Sequence, residues 1–158
     1  MNIITIKQIN QLFRTFASNH PFINSFGIGE TSEISTTSQT VYPLMWVSNV
    51  ESTILTANKT LTPQLNYRIL FLDKITDITL TSTENGDVSN NGEEVSSDTF
   101  QYLTDLILHI NQNWTPYGII LDSDVQCEPV IDELPDKVGG WSALLTFKTI
   151  YVNCSIPV

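Results

Sequence analysis

The sequence has few of the residues on which catalytic and metal sites depend. It contains two histidines and two cysteines among 158 residues. Cys127 and Cys154 match no metal-ligand spacing, and we expect reduced thiols, with a disulfide as the alternative. His20 lies beside Pro21 at a predicted helix end and His109 lies within a second predicted helix, which are structural positions. No nucleophile-elbow serine or phosphate-binding glycine loop is present. The sequence therefore predicts no enzyme and no cofactor.

Basic side chains and long apolar runs are also scarce. Seven lysines and arginines stand against 17 acidic residues, which gives a net charge of −10. This balance opposes binding to a nucleic-acid backbone, because phosphate contacts need clustered Lys and Arg. No segment approaches 18 apolar residues, and the N-terminus lacks the pattern of a secretory signal. We therefore expect neither a membrane span nor export.

The remaining composition favours a folded, β-rich domain with a weakly charged surface. The hydrophobic fraction is 41% and the charged fraction is 15%, and Thr, Ser and Asn make up much of the rest. Thr is frequent in strands. A polar but uncharged surface suits packing against copies or partners, where desolvating charge is costly.

Two helices are predicted. The first covers residues 5–19, where Ile6, Ile9, Phe13 and Phe16 form one apolar stripe that ends before a proline. The second is predicted to start at a cap on Asp98, with Gln101 in the capping-box position, and to end near residue 113. Its predicted apolar face consists of Phe100, Leu103, Leu106, Ile107 and Ile110.

Strands are predicted over residues 41–47, 64–73, 117–121, 125–132 and 141–152. Residues 51–60 are a weaker candidate, residues 22–29 favour a short strand or turn, and residues 31–40 favour an exposed loop. A polar segment near residues 83–97 is predicted to be a mobile loop. The order of elements predicts one α+β domain over residues 1–158, with two main helices packed on an antiparallel sheet.

The predicted last strand has two faces that both carry apolar side chains. The face expected in the core carries Trp141, Ala143, Leu145, Phe147, Thr149 and Tyr151. The opposite face carries Ser142, Leu144, Thr146, Lys148, Ile150 and Val152. That second face is half apolar, more than a solvated surface needs, and we expect it to contact another subunit. The candidate subunit-interface residues are Trp46, Leu144, Lys148, Ile150, Val152 and Ile156.

One acidic segment leaves two interpretations open. Asp122, Asp124 and Glu128 lie close in sequence, and clustered carboxylates suit hard cations such as calcium. The segment lacks the glycine and the distal glutamate of a calcium loop, and a turn followed by a solvated acidic loop is the favoured interpretation. An enzyme that uses this cluster with a metal is the lowest-ranked hypothesis.

Six segments in order resemble small virion proteins of tailed bacteriophages. They are residues 20–29 (HPFINSFGIG), 42–47 (YPLMWV), 67–73 (YRILFLD), 91–99 (NGEEVSSDT), 127–129 (CEP) and 139–141 (GGW). The pattern is similar to structural proteins of crAss-like phages, with a tail-terminator or neck-ring type of fold. The order of the segments, rather than any single motif, carries the resemblance.

The resemblance implies a virion structural protein of the portal–tail connector. Subunits would form a six-fold or twelve-fold homo-oligomeric ring around the DNA channel, against portal, neck or tail proteins, after synthesis in the host bacterial cytoplasm. The acidic balance suits a channel wall along which DNA passes without sequence-specific binding. The alternative hypothesis is a monomeric α+β binding module for a small ligand or peptide, with Trp46 or Trp114 in its pocket.

Overall fold

A computed structural model describes residues 5–36, 40–57, 60–78, 89–122, 124–133 and 137–149 of the chain. These residues form an α+β structure, as the sequence predicts, with two α-helices against a seven-stranded, mostly antiparallel sheet. In chain order the helices and strands are α1 (Ile6–Asn19), β1 (Ser25–Ile28), β2 (Leu44–Asn49), β3 (Thr53–Ala57), β4 (Thr60–Lys74), β5 (Asp77–Ile78), β6 (Ser89–Asn90), α2 (Gly92–Asn113), β7 (Ile119–Leu121), β8 (Gln126–Glu133) and β9 (Lys137–Thr149). Neither helix is long and apolar enough to cross a membrane.

Helix α1 confirms the first helix prediction. Thr5 caps its N-terminus in a capping box with Gln8, and His20 follows its last residue. Ile9, Phe13 and Phe16 are buried, so the predicted stripe does face the core. Ile6, which was predicted in the same stripe, is exposed instead.

Helix α2 begins earlier than predicted, and the proposed Asp98 cap is wrong. Asn91 precedes the helix and Asp98 lies inside it, so residues 92–97 are helical rather than part of a mobile loop. Val95 and Thr99 are buried, which extends the apolar stripe toward the N-terminus. The side chain of Asn91 accepts a hydrogen bond from the backbone N–H of Thr76 at 2.7 Å, which links the helix start to the connection between β4 and β5. Ser89 and Asn90 of that predicted loop form β6, which pairs with β5, and residues 83–88 lie outside the described residues.

The sheet is built around two long strands. β4 pairs with β9 along eleven residue pairs, from Gln64–Lys148 to Lys74–Val138. On the other side of β4, β2 pairs with its second half and β3 with its first half. On the other side of β9, β8 pairs with its first half and β7 with its last three described residues. All of these pairs are antiparallel.

One pair departs from the predicted antiparallel sheet. β1 runs parallel to β2, with Ser25 beside Leu44. The chain between them supplies the crossover that a parallel pair requires. The sequence predicted an exposed loop over residues 31–40. Instead, that connection includes a 3-10 helix at Thr31–Thr36, in which Ile34 is buried.

The main core lies between the two helices and one face of the sheet. Phe13 of α1 sits at its centre, with its ring centroid 4.9 Å from that of Trp114 and 5.4 Å from that of Tyr67. Ala143, Leu145 and Phe147 are buried on the same face of β9, which confirms the predicted core face over those residues. Phe100, predicted in this core, is exposed instead and packs its ring edge-on against Trp141.

A second, smaller apolar cluster lies on the face of the sheet away from the helices. It contains the buried residues Ile34, Leu44, Leu70, Leu72 and Val138, with Tyr42, Trp46 and Val130 packed against them. The alternation predicted for β4 is therefore confirmed, but its second face is also partly buried. We refer to this side of the sheet as the open face.

Candidate subunit interface

The three predicted interface residues that the structure describes share the open face. Trp46 lies on β2, and Leu144 and Lys148 lie on β9. Their partners on β4 are Leu70 for Trp46, Arg68 for Leu144 and Gln64 for Lys148. These three partners are separated by even numbers of residues, so they lie on the same face of β4. The other predicted interface residues, Ile150, Val152 and Ile156, lie outside the described residues.

Trp46 is held in place within its own chain. Its indole ring lies over Gly27 on the neighbouring strand β1, where a Cβ atom would overlap the ring. Its Nε1 donates a hydrogen bond to the carbonyl oxygen of Gly29 at 3.1 Å. The side chain is half-buried and packs against the second apolar cluster. These contacts fix the Trp46 side chain within its own chain and leave part of its ring exposed at the surface.

Leu144 and Lys148 have different surroundings. The Leu144 side chain is 42% exposed and is flanked across the strands by Arg68 and Gln126, both exposed. The Nζ of Lys148 forms an ion pair with Asp122 Oδ1 at 3.0 Å. Both partners are partly exposed, so this pair contributes little to stability. Leu144 is thus an apolar side chain in a polar surrounding, as the two-faced pattern of the strand predicted.

A larger apolar surface was missed by the sequence analysis. The strand β3 and residues 60–64 of β4 form a hairpin that we call the β3–β4 arm. All five residues of β3 are exposed, including Ile54 at 64% and Leu55, and Leu61 of β4 is exposed as well. Ile54 lies on the helix side of the sheet and Leu55 on the open face, because their partners are Pro63 and Thr62.

A sequence signal for this arm exists. Residues 52–67 contain a single charged residue, Lys59, in a chain whose net charge is −10. Residues 51–60 were a weaker strand candidate, and local apolar alternation does not reveal whether a helix covers a strand. In the structure the main contacts of the helices with the sheet fall on β1, β2, β4, β7 and β9.

The three acidic residues considered for a cation site have different surroundings. Asp122 binds Lys148, whereas Asp124 and Glu128 are exposed. No group of three or more His, Cys, Asp and Glu side chains within the described residues is placed to hold a metal ion. The backbone N–H of Asp122 donates to the carbonyl of Thr146 at 2.8 Å, so this segment continues the edge of β7.

Cys127 lies on β8 with its thiol toward the core. Burial raises the pKa of this thiol, so the unreactive protonated form is favoured. Cys127 forms no disulfide with any described residue, and Cys154 lies outside that part of the chain.

The two histidines occupy structural positions. The Nε2 atom of His20 lies 3.2 Å from Asp105 Oδ2, and its ring packs against Phe16 and Tyr102. This contact connects the end of α1 to the middle of α2. His109 packs its ring against Phe16 and Trp114.

A cavity of about 230 Å³ lies between the start of α2 and the β8–β9 hairpin. Its lining is mostly apolar and includes Ile75, Val95, Val130 and Ile131, with Lys137 among the lining residues. Trp46 and Trp114, which the sequence analysis placed in a possible binding pocket, do not line it, and Trp114 is fully buried in the main core.

No protein-family model matches this chain, and no curated protein shows significant similarity to its sequence.

Proposed function

We propose that this chain is a structural subunit of a homo-oligomeric ring, and that the ring belongs to the portal–tail connector of a tailed bacteriophage. The observation that carries the ring is the β3–β4 arm. Exposed apolar side chains on both faces of a hairpin whose two strands carry no charge favour association, because large apolar surfaces in water are costly. The place of the ring in a virion rests on the resemblance of the six sequence segments.

Electrostatics support contacts between copies at this arm rather than elsewhere. At a net charge of −10, two copies repel each other over most of their surfaces. No charged residue lies in β3 or in residues 60–64 of β4. A contact made there brings no carboxylate opposite another carboxylate, so it avoids the repulsion that other surfaces would meet.

The charge also bears on the DNA channel. A ring of acidic subunits repels the phosphate backbone, which favours passage without binding. Trp46, Leu144 and Lys148 on the open face are then candidates for contacts with neighbouring subunits or with portal, neck or tail proteins. We propose no sequence-specific DNA contact.

Assembly mass is the test of the ring. Light scattering after size-exclusion chromatography measures the mass of the purified chain, and negative-stain microscopy shows whether the particles are closed. A six-fold or twelve-fold ring is the expected result. A chain that stays monomeric at all concentrations, and also when mixed with a portal complex, would contradict the proposal.

The second candidate is a monomeric binding module, and the cavity beside Val95 and Val130 favours it. At about 230 Å³ the cavity is below the roughly 300–1,000 Å³ range of ordinary ligand pockets. This candidate predicts a monomer whose melting temperature rises with a small apolar ligand, such as a short-chain fatty acid. Substitution of Val95 by Trp should abolish that rise by filling the cavity.

A further inference from the structure

The two edges at one end of the sheet are open. β3 pairs with residues 60–64 of β4, and β7 pairs with residues 147–149 of β9. These ends of β4 and β9 are neighbours, since Gln64 pairs with Lys148. The local strand order is therefore β3-β4-β9-β7. Among the described residues, no strand pairs with the outer edge of β3 or of β7.

Both of these edges lack the charges and the proline that keep many edge strands apart. β3 (Thr-Ile-Leu-Thr-Ala) and β7 (Ile-Ile-Leu) contain no charge and no proline. Each exposes apolar side chains, with Ile54 and Leu55 on β3 and Ile120, 47% exposed, on β7. Native proteins ordinarily blunt exposed edges with charges or proline, because unpaired backbone groups template pairing with another chain.

The other end of the sheet has two outer strands, β1 and β8, and β8 is protected in that way. It carries Glu128 and Pro129, both exposed. A carboxylate and a proline on an edge strand oppose pairing. β3 and β7 have no charge or proline of this kind, so each can accept the edge of a further strand.

Strand direction fits a contact between β3 and β7 of different copies. β3 is antiparallel to β4, β4 to β9, and β9 to β7, so β3 and β7 run in opposite directions. In a ring whose axis lies along the strands, rotation from one copy to the next preserves strand direction. The β3 strand of one copy can therefore meet the β7 strand of its neighbour as an antiparallel partner. Such a contact joins two different surfaces and repeats around the ring until it closes.

We infer that β3 of one copy adds to β7 of the next copy, so that the sheet continues across every subunit boundary. This inference rests on the proposed ring and names the strands that join it. On the open face, Ile120 of one copy would lie among Thr53, Leu55 and Ala57 of the next. On the helix side, Ile119 and Leu121 would lie beside Ile54 and Thr56.

Cysteine pairs test the inference directly. In a Cys127→Ala/Cys154→Ser background, Ile120→Cys is combined in the same chain with Thr53→Cys, Leu55→Cys or Ala57→Cys. Oxidation should convert at least one of these chains into a ladder of covalent oligomers on a non-reducing gel. The matched controls combine Ile120→Cys with Ile54→Cys or Thr56→Cys, whose side chains leave the opposite face, and should give no ladder.

A disulfide within one chain does not confuse this result. β3 and β7 are three strand spacings apart, roughly 14 Å, whereas disulfide-bonded Cα atoms lie about 4.4–6.8 Å apart. Any ladder therefore reports a contact between copies. Ladders from cysteines at position 53, 55 or 57, but not at position 54 or 56, would report strand pairing rather than a random collision.

The outcomes separate this inference from the proposed function. Closed rings without any open-face ladder would overturn the β3–β7 contact and leave the ring intact. Covalent dimers from Leu55→Cys alone would show that β3 pairs with β3 of a second copy, which also overturns it. Monomers without ladders at any concentration, both alone and mixed with a portal complex, would contradict both proposals.

Discussion

The indole Nε1 of Trp141 on β9 donates a hydrogen bond to the carbonyl oxygen of Ser96 on α2 at 2.9 Å. This bond ties the first turns of the second helix to the central strand of the sheet. Its ring also receives the edge of Phe100 at a centroid distance of 5.0 Å. Trp141 thus connects β9 to residues 96 and 100 of α2. This contact favours a helix that begins before Asp98.

Replacing Trp141 by Phe should lower the free energy of unfolding by about 1 kcal/mol, because the ring contact is kept and one hydrogen bond is lost. Urea unfolding monitored by circular dichroism measures the change. Phe100→Leu is the matched control for the ring contact alone and should cost less. An unchanged stability in Trp141→Phe would show that the hydrogen bond from Trp141 to Ser96 does not stabilise the fold.

Tyr67 carries a buried hydroxyl for which no described residue provides a hydrogen bond. An unsatisfied buried polar group costs on the order of 1–3 kcal/mol. The substitution Tyr67→Phe should therefore raise the free energy of unfolding by about 1 kcal/mol at neutral pH. A clear loss of stability would show that the hydroxyl has a partner, such as an ordered water molecule.

The same hydroxyl predicts a pH dependence. Burial raises the pKa of Tyr67 from 10.0 to about 12. Because the unfolded chain loses this proton first, ionisation of Tyr67 leaves the stability unchanged below about pH 10 and lowers it as the pH rises through about 12. Between these values the stability of the native protein should fall more steeply than that of Tyr67→Phe. Parallel slopes in the two proteins would contradict the raised pKa.

Gly140 lies where β9 passes close to β4. A Cβ atom at this position would overlap the carbonyl oxygen of Phe71, which belongs to the paired backbone. Gly140→Ala should destabilise the fold by about 3 kcal/mol or more, since the strands must separate. Gly118→Ala is the control. It has open space but a φ of +76°, and should cost only about 1–2 kcal/mol. Equal thermal shifts would contradict the close approach.

The β3–β4 arm predicts a selective effect of charge on assembly. Ile54→Lys places a charge on the open edge and should reduce the assembly to monomers without changing the melting temperature of the monomer. Ile131→Lys makes the same change at the most exposed apolar side chain, 76% exposed, on the protected strand β8. It should leave the assembly mass unchanged. Equal loss of assembly in both variants would point to a general charge effect.

Much of the fold follows from local patterns in the sequence. The i, i+4, i+7 spacing of Ile9, Phe13 and Phe16 fixes the buried face of α1, since only that face can meet the sheet. The alternation along β4 and β9 likewise separates Tyr67 and Leu145 from their outward neighbours. These patterns depend on one element at a time, so the sequence alone determined them.

Other features depend on distant residues. The start of α2 is decided by Trp141 and Thr76, which lie far from it in sequence, so a local capping signal at Asp98 misled the prediction. The half-burial of Trp46 depends on Gly27 in a parallel neighbour strand, and local sequence does not specify which strands become neighbours.

The candidate interface divides in the same way. Alternation alone placed Leu144 and Lys148 together on an outward face. The open state of β3 and β7 was decided only by the tertiary structure, because it follows from which halves of β4 and β9 each short strand pairs with, and from how far the helices extend over the sheet. Register and coverage are long-range properties, and the sequence of β3 carries no local trace of them beyond its missing charge.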